Sequence, residues 1–157
     1  MFAIKLARLV ETHADELSEG LMQKIKTSAR CKELIDKVPP GELKRRTREI
    51  YDNLTEWLMT KTEAEVEEAY IGLGARRARQ GVPFSNFFWA ICATKEQLWE
   101  YLQRQGLFEE PVDFWGGMEL VHAVAQFFDS ALYYATIGYE SAHKAQVTQV
   151  LTASSNP

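Results

Sequence analysis

The segment formed by residues 73–101 constrains the fold more than any other part of the chain, because a short turn joins a basic helix end to a densely aromatic helix. Gly81 is suited to the left-handed conformation just past a helix C-terminus, and Pro83 stops the preceding helix from continuing. Ser85 is predicted to cap the next helix. Near its start, this helix contains residues 87–93, which are apolar on every side. We therefore predict a central helix that is buried all round.

Composition places the chain among single-domain globular proteins. It has 157 residues, of which 46% are hydrophobic and 25% are charged, which is enough for one domain with its own core. The net charge of -4 disfavours binding to nucleic acid or to an anionic membrane. The N-terminal residues carry charges where a signal peptide requires an apolar stretch, and no apolar run approaches the ~20 residues that span a bilayer. We therefore expect a cytoplasmic protein.

Helical periodicity accounts for nearly the whole chain, because apolar residues recur at spacings of three and four. Turns that contain Pro or Gly divide this pattern into about five helices, near residues 2–38, 40–58, 63–79, 85–105 and 112–145. Thr62 and Glu65 predict a capping box at the start of the third helix. No segment has the two-residue alternation of a strand. The sequence thus predicts an all-α, single compact domain over residues 1–145, followed by a frayed tail over residues 146–157.

The long C-terminal helix carries two neighbouring apolar rows with alternating spacings of three and four. The first row contains Val121, Ala125, Phe128, Leu132 and Tyr139, and the second runs from Gly117 to Gly138. Together the rows form a surface wider than packing against one neighbour requires. One row is expected to close the core while the other meets a second chain, so we expect a homodimer. The first row supplies the candidate seam, and the choice between the two rows stays open.

Aromatic residues exceed what a minimal core of five helices needs, which raises the prospect of a pocket for a small apolar ligand. The candidate pocket residues are Trp57, Phe84, Phe88, Trp89 and Trp99, together with Arg77. The favoured alternative is that the aromatic rings simply fill the core and the dimer seam. Arg77 is open to two interpretations as well. It either complements the helix dipole or forms an anion site near the pocket mouth.

The pattern of histidines and cysteines predicts no metal site and no cofactor. His13 follows the apolar stripe of the first helix, and Cys31 and Cys92 lie far apart with no metal-binding spacing. Two Glu-x-x-His motifs occur, Glu119/His122 and Glu140/His143. A di-iron oxidase needs such motifs on different helices, whereas these share one helix and lie roughly 30 Å apart. No nucleophile, phosphate-binding or zinc-protease motif is present, so we predict no catalytic residues and no enzyme.

The stretch LGARRARQGVPFSNFFWAICATKEQLWEYL, together with AQFFDSALYYATIGYE, resembles the RsbRD-type N-terminal sensor domain. This family is a helical input module of bacterial stress-signalling proteins. The resemblance covers roughly residues 43–140. It implies a globin-like helical fold without haem, a non-enzymatic regulatory role and a signalling protein partner.

The same turn is distantly similar to the helix junction of sensor globins, in which a histidine one turn before the glycine binds haem iron. Aligning Gly81 with that glycine puts Arg77 in the ligand position. Arginine stays protonated and offers no lone pair to iron. Haem would need His13 or His122, which no motif supports. A haem or gas sensor is therefore the alternative to a sensory domain that acts through dimerisation and through protein or small-ligand binding.

Overall fold

The computed structural model describes residues 2–105 and 111–155, and the regular structure within these ranges is entirely helical. Eight α-helices and one 3₁₀ helix occur there. Their bounds are α1 Phe2–Thr12, α2 Ala14–Thr27, the 3₁₀ helix Ala29–Cys31, α3 Lys32–Lys37, α4 Pro40–Asp52, α5 Leu54–Met59, α6 Glu63–Arg79, α7 Phe84–Arg104 and α8 Pro111–Ser155. The all-α class and the long last helix are confirmed, whereas the predicted count of about five helices is too low.

The additional helices arise from breaks within two of the predicted helices. His13 leaves the helical conformation, with φ −105° and ψ 21°, and separates α1 from α2. Ser28 is extended and caps the short 3₁₀ helix through its side chain. Asn53 separates α4 from α5 in the same manner as His13, with φ −123° and ψ 25°. Each break spans one or two residues, so the apolar periodicity continues across it.

The helix ends around the central turn follow the sequence predictions at all but one position. Thr62 and Glu65 form the predicted capping box of α6. Gly81 has a φ of 74°, the left-handed conformation that favours glycine. The predicted cap by Ser85 is wrong, because α7 starts at Phe84, its N-cap residue is Pro83 and no side chain caps it. Proline at this position fixes the chain direction without needing a side-chain cap.

α6 and α8 form the most extensive helix pair of the described part of the chain. A Cβ atom on Gly74 would overlap the carbonyl oxygen of Ala135, and one on Gly138 would overlap that of Ile71. The two backbones therefore touch at a point that only glycine permits. α1, α5 and α7 pack against this helix pair.

The prediction that α7 is buried all round is wrong. Phe87 and Leu98 are buried in the core, whereas Phe88 is 39% exposed and Trp89 is 37% exposed. α7 therefore packs along one face and leaves aromatic side chains at the surface. The arrangement is a helix at the edge of the core rather than a central one.

α8 extends well beyond the predicted domain boundary at residue 145. The tail predicted to fray from residue 146 is helical as far as Ser155, and the side chains of residues 147–155 are exposed. The loop predicted around Glu109 and Glu110 lies outside the described residues. Within the described residues, no helix is both long and apolar enough to cross a membrane.

Candidate functional site

A cavity of about 90 Å³ lies between α-helices α2 to α8. Its wall is predominantly apolar and includes Ile25, Leu43, Ile50, Trp57, Leu73, Phe87, Ile91, Phe128 and Ala131. Polar side chains also line it, namely Arg46, Thr47, Glu49, Tyr70, Arg77 and Thr94. An apolar cavity with a few polar groups is the usual setting for a small-molecule site, so this cavity is the candidate site.

Two of the six sequence-predicted pocket residues line this cavity, Trp57 and Arg77. Trp57 packs against Tyr70 and Phe127, with ring centroids 5.8 and 5.6 Å away. Tyr70 lines the cavity beside it, and burial raises the pKa of its hydroxyl. The Tyr70 phenol is therefore neutral at physiological pH.

The other four predicted pocket residues lie elsewhere. Phe84 is half-buried against the core and contacts Phe88 and Tyr139, with ring centroids 6.1 and 5.1 Å away. The guanidinium of Arg30 lies 4.1 Å above the Trp89 ring, at the distance of a cation–π contact. Trp99 lines a separate groove between α7 and α8. The aromatic residues thus form several clusters rather than one pocket.

Arg77 is buried, and a carboxylate already matches its charge. Its Nη1 donates to Glu42 Oε1 at 2.8 Å and to Gln80 Oε1 at 2.7 Å. Glu42 also accepts hydrogen bonds from both Arg76 and Gln80. The cluster of Glu42, Arg76, Arg77 and Gln80 therefore joins the start of α4 to the end of α6. Arg77 serves as an internal ion pair at the cavity wall, not as the open anion site that was one of its two interpretations.

The electrostatics of this cluster favour the charged forms of both partners. Hydrogen bonds from Arg76, reinforced by Arg77 and Gln80, outweigh the effect of burial and hold the pKa of Glu42 well below its usual range. Burial lowers the pKa of Arg77, and the neighbouring Glu42 carboxylate opposes that shift. Because the ordinary pKa of arginine lies far above physiological pH, Arg77 stays protonated. The pair is an ionic contact held away from water.

Sequence reasoning missed Glu42 and Gln80 as partners of Arg77, and also the cavity residue Arg46. Glu42 lies in the first turn of α4, where an acidic residue is ordinary, so nothing in the sequence distinguishes it. Arg46 lies in a row of basic residues on the same helix. The signal that separates them from their neighbours is burial, which only the packed helices reveal.

The histidines do not converge on the cavity. His13 Nδ1 lies 2.9 Å from the carbonyl oxygen of Leu9, one turn earlier. The motifs Glu119/His122 and Glu140/His143 both lie on α8, as their spacing predicted. Among the described residues, no group of three or more histidine, cysteine and acidic side chains could hold a metal ion. No histidine lines the cavity within that part of the chain.

The predicted dimer seam is divided between the core and the surface. Phe128 is 3% exposed and lines the cavity, so it is not available to a second chain. Tyr139 is half-buried and its hydroxyl donates to the carbonyl oxygen of Val82 at 2.6 Å. Val121 and Leu132 are half-buried, and Ala125 is exposed. The second predicted row is largely internal as well, with Leu120, Val124, Phe127, Ala131 and Gly138 buried.

The apolar side chains of α8 that face outward form a row that shares only Ala125 with the predicted seam. We call it the outer row, and it contains Met118, Ala125, Tyr133, Ile137, Val147 and Leu151. Their separations of 7, 8, 4, 10 and 4 residues keep them on one face of a helix with 3.6 residues per turn. Tyr133 is 62% exposed and Leu151 is 64% exposed. Charged and polar residues such as Glu140 and Lys144 lie between these apolar side chains on the same face. Exposed apolar side chains grouped on one face in this way are typical of an interaction surface.

Comparison with known proteins gives one family. The model of the RsbT co-antagonist protein rsbRD N-terminal domain matches residues 7–152. No curated protein and no solved structure matches the chain. The matched range covers all helices from α2 to α7, nearly all of α8 and the greater part of α1. The chain therefore belongs to the RsbRD N-terminal domain family, which is a family of regulatory, stress-signalling domains.

Proposed function

We propose that this domain is a non-enzymatic sensory module of the cytoplasm that forms a homodimer through α8 and regulates a signalling protein. The proposal includes the globin-like arrangement that the family resemblance implies. The observation that carries it is the outer row of α8, which stays exposed along a helix that reaches Ser155. Regulatory domains act by contact, and this row offers exposed apolar side chains for such a contact.

The outer row suits a second copy of the same helix. Ile137, Val147 and Leu151 are separated by ten and four residues, which fits a seam between two helices. Glu140 and Lys144 lie on the same face. When two copies of α8 run antiparallel about residue 142, Glu140 of each copy faces Lys144 of the other. Opposite charges at matching positions favour that pairing over others.

The partner is proposed from the family. Its description names a co-antagonist protein of RsbT, so the protein regulated by this chain belongs to a stress-signalling system of that kind. The cavity adds a place where a small ligand changes the packing of α8, because Phe128 and Ala131 belong both to the cavity wall and to α8.

Light scattering coupled to size-exclusion chromatography tests the homodimer. We expect the wild-type protein to have twice the chain mass at tens of micromolar. Ile137→Asp and Leu151→Asp should each shift the mass towards that of one chain, because a buried unpaired carboxylate opposes association. Gln149→Asp is the matched control, since Gln149 is exposed on the opposite face of the same helical segment. A monomeric wild-type protein would contradict the proposal.

A further inference from the structure

The size of the cavity restricts what it can hold. An apolar cavity of roughly 150 Å³ in another protein binds benzene, so the 90 Å³ cavity of this protein holds a ring of that size only if part of the ring extends into the mouth. The space corresponds to about four to six heavy atoms when part of the molecule extends into the mouth. Ala69 is exposed at the cavity wall, and the side chains of Arg46 and Glu49 are 34% and 40% exposed beside it. A small molecule therefore has a path into the cavity.

Arg46 supplies one unused hydrogen-bond donor at this site. Its Nη1 is paired with Glu49 Oε2 at 3.0 Å. Its Nε is buried and has no hydrogen-bond partner among the described residues. A buried N–H group without an acceptor is costly, and native structures nearly always satisfy it with protein, water or ligand. Arg46 is also one of the residues that line the cavity, so an acceptor on a molecule bound against this side chain would satisfy the donor.

The charge of Arg46, the residue with the unused donor, is already paired. Glu49 pairs with Arg46, whereas Arg76 and Arg77 share the Glu42 carboxylate further along the wall. A carboxylate on a ligand placed against Arg46 would also lie near the Glu49 carboxylate, because Arg46 and Glu49 are in contact and both line the cavity. A like charge at that distance is unfavourable. The site therefore selects a neutral acceptor over an anion.

We infer that this cavity binds a small neutral molecule with an apolar body of about four to six heavy atoms and one hydrogen-bond acceptor, such as a ketone or aldehyde, placed against Arg46. The inference rests on the proposed sensory function, because it names the chemical class of the ligand that such a sensory domain would bind. Binding at the wall formed by Phe128 would act directly on α8.

Methyl NMR of the full chain, labelled at isoleucine, tests this ligand class with three probes. Ile25, Ile50 and Ile91 line the cavity, and the exposed Ile137 is the internal control. We expect cyclopentanone to shift the three cavity methyls in a saturable way and to bind more tightly than cyclopentane. Butyrate should leave them unchanged. Absence of saturable shifts up to millimolar cyclopentanone, or tighter binding of butyrate, overturns the inference.

Variants separate the acceptor contact from the cavity itself. Arg46→Met keeps an apolar stem and should weaken cyclopentanone binding about tenfold, the effect of losing a hydrogen bond to a charged group. Its affinity for cyclopentane should be unchanged. Ala90→Leu should fill the cavity and abolish both, whereas Ala125→Leu, outside the cavity, should affect neither. Wild-type affinity of Arg46→Met for cyclopentanone contradicts the inference, even if Ala90→Leu does not fold.

Light scattering on the same samples reports separately on the proposed function. A dimer that binds none of the probes overturns the ligand inference and leaves the homodimer intact. A monomer whose cavity methyls respond to cyclopentanone overturns the homodimer and supports the ligand class. The two proposals therefore fail by different measurements.

Discussion

Glu42 carries a negative charge where little water reaches it, and three side chains compensate for that burial. Glu42→Gln removes the charge while keeping the shape, and it leaves Arg77 buried without an ionic partner. Breaking a buried ion pair from one side costs about 3 kcal/mol. We expect the free energy of unfolding, measured by urea titration, to fall by that amount.

The control for this change is Glu33→Gln. Glu33 pairs with Lys37 one turn later, and both side chains are largely exposed. Such surface pairs contribute about 0.5 kcal/mol or less. Equal losses of unfolding free energy for Glu42→Gln and Glu33→Gln would mean that the buried ion pair of Glu42 stabilises the protein no more than an exposed pair does.

Glu42 also predicts how stability depends on pH. Its pKa is lowered in the folded protein, so between the folded and unfolded pKa values the unfolded chain binds the additional proton. The stabilisation is complete well above the unfolded pKa, about 4.3 for glutamate. It is lost as the pH falls below that value towards the folded pKa. Urea titrations between pH 7 and pH 3 should show the decline, and Glu42→Gln should show a shallower one.

Single residues were predictable from the sequence when their role depended on near neighbours. The Thr62–Glu65 capping box and the left-handed Gly81 are such cases, because their partners lie within a few positions. Arg77 was recognised as unusual, yet Glu42 lies 35 positions away. Helical spacing carries no information about contacts of that range. The cluster could therefore be found only after the helices were packed.

The crossing of α6 and α8 gives a prediction at the scale of helices. Gly138→Ala would place a Cβ atom against the backbone of Ile71, and a backbone carbonyl cannot move aside. Overpacking costs about 1–3 kcal/mol, which exceeds the gain of up to about 1 kcal/mol in helix propensity. We expect the midpoint of thermal unfolding to fall.

Gly72→Ala is the matched control on α6. A Cβ atom at Gly72 meets nothing within 4 Å, so only the helix propensity changes. Stability should rise by about 0.5–1 kcal/mol. A rise for both variants would show that α6 and α8 do not touch where the structure places them.

Helices were predictable in type but not in their interruptions. The helical pattern of residues 2–28 reflects one buried face, which α1 and α2 share despite the break at His13. At the break, the His13 ring lies 5.6 Å from that of Tyr101 on α7, a contact that the local sequence does not show. Asn53 interrupts α4 and α5, and its side chain donates to the carbonyl oxygen of Glu49. Local propensity does not reveal either position.

At the scale of the whole molecule, the end of α8 contributes little to the stability of one chain. Side chains of residues 147–155 are exposed, so deleting residues 147–157 should change the free energy of unfolding by no more than about 0.5 kcal/mol. The deletion removes Val147 and Leu151 from the outer row and should weaken the dimer. Urea titration at low concentration and light scattering at tens of micromolar measure the two effects separately. A truncated chain that unfolds would show that this segment belongs to the core.

Fold class was predictable as a whole because periodicity and turn residues suffice to identify helices. The packing of those helices was not, and α7 demonstrates the reason. Its apolar run suggested complete burial, yet Phe88 and Trp89 are at the surface. The apolar content of a helix indicates that the helix can be buried. How much of its surface is buried depends on where the other helices pack. For the same reason, the sequence did not show which residues of the two α8 rows are buried, or which of the six pocket candidates line one cavity.

The glycine contact between α6 and α8 also has a mechanical consequence. Measured along the axis of α8, Gly138 lies about 15 Å from Phe128 at the cavity and about 25 Å from Ser155 at the far end. If α8 tilts as a rigid rod about this point, the contact acts as a fulcrum with unequal arms. When Phe128 moves in one direction, Ser155 then moves in the opposite direction, over a distance roughly 1.7 times as large.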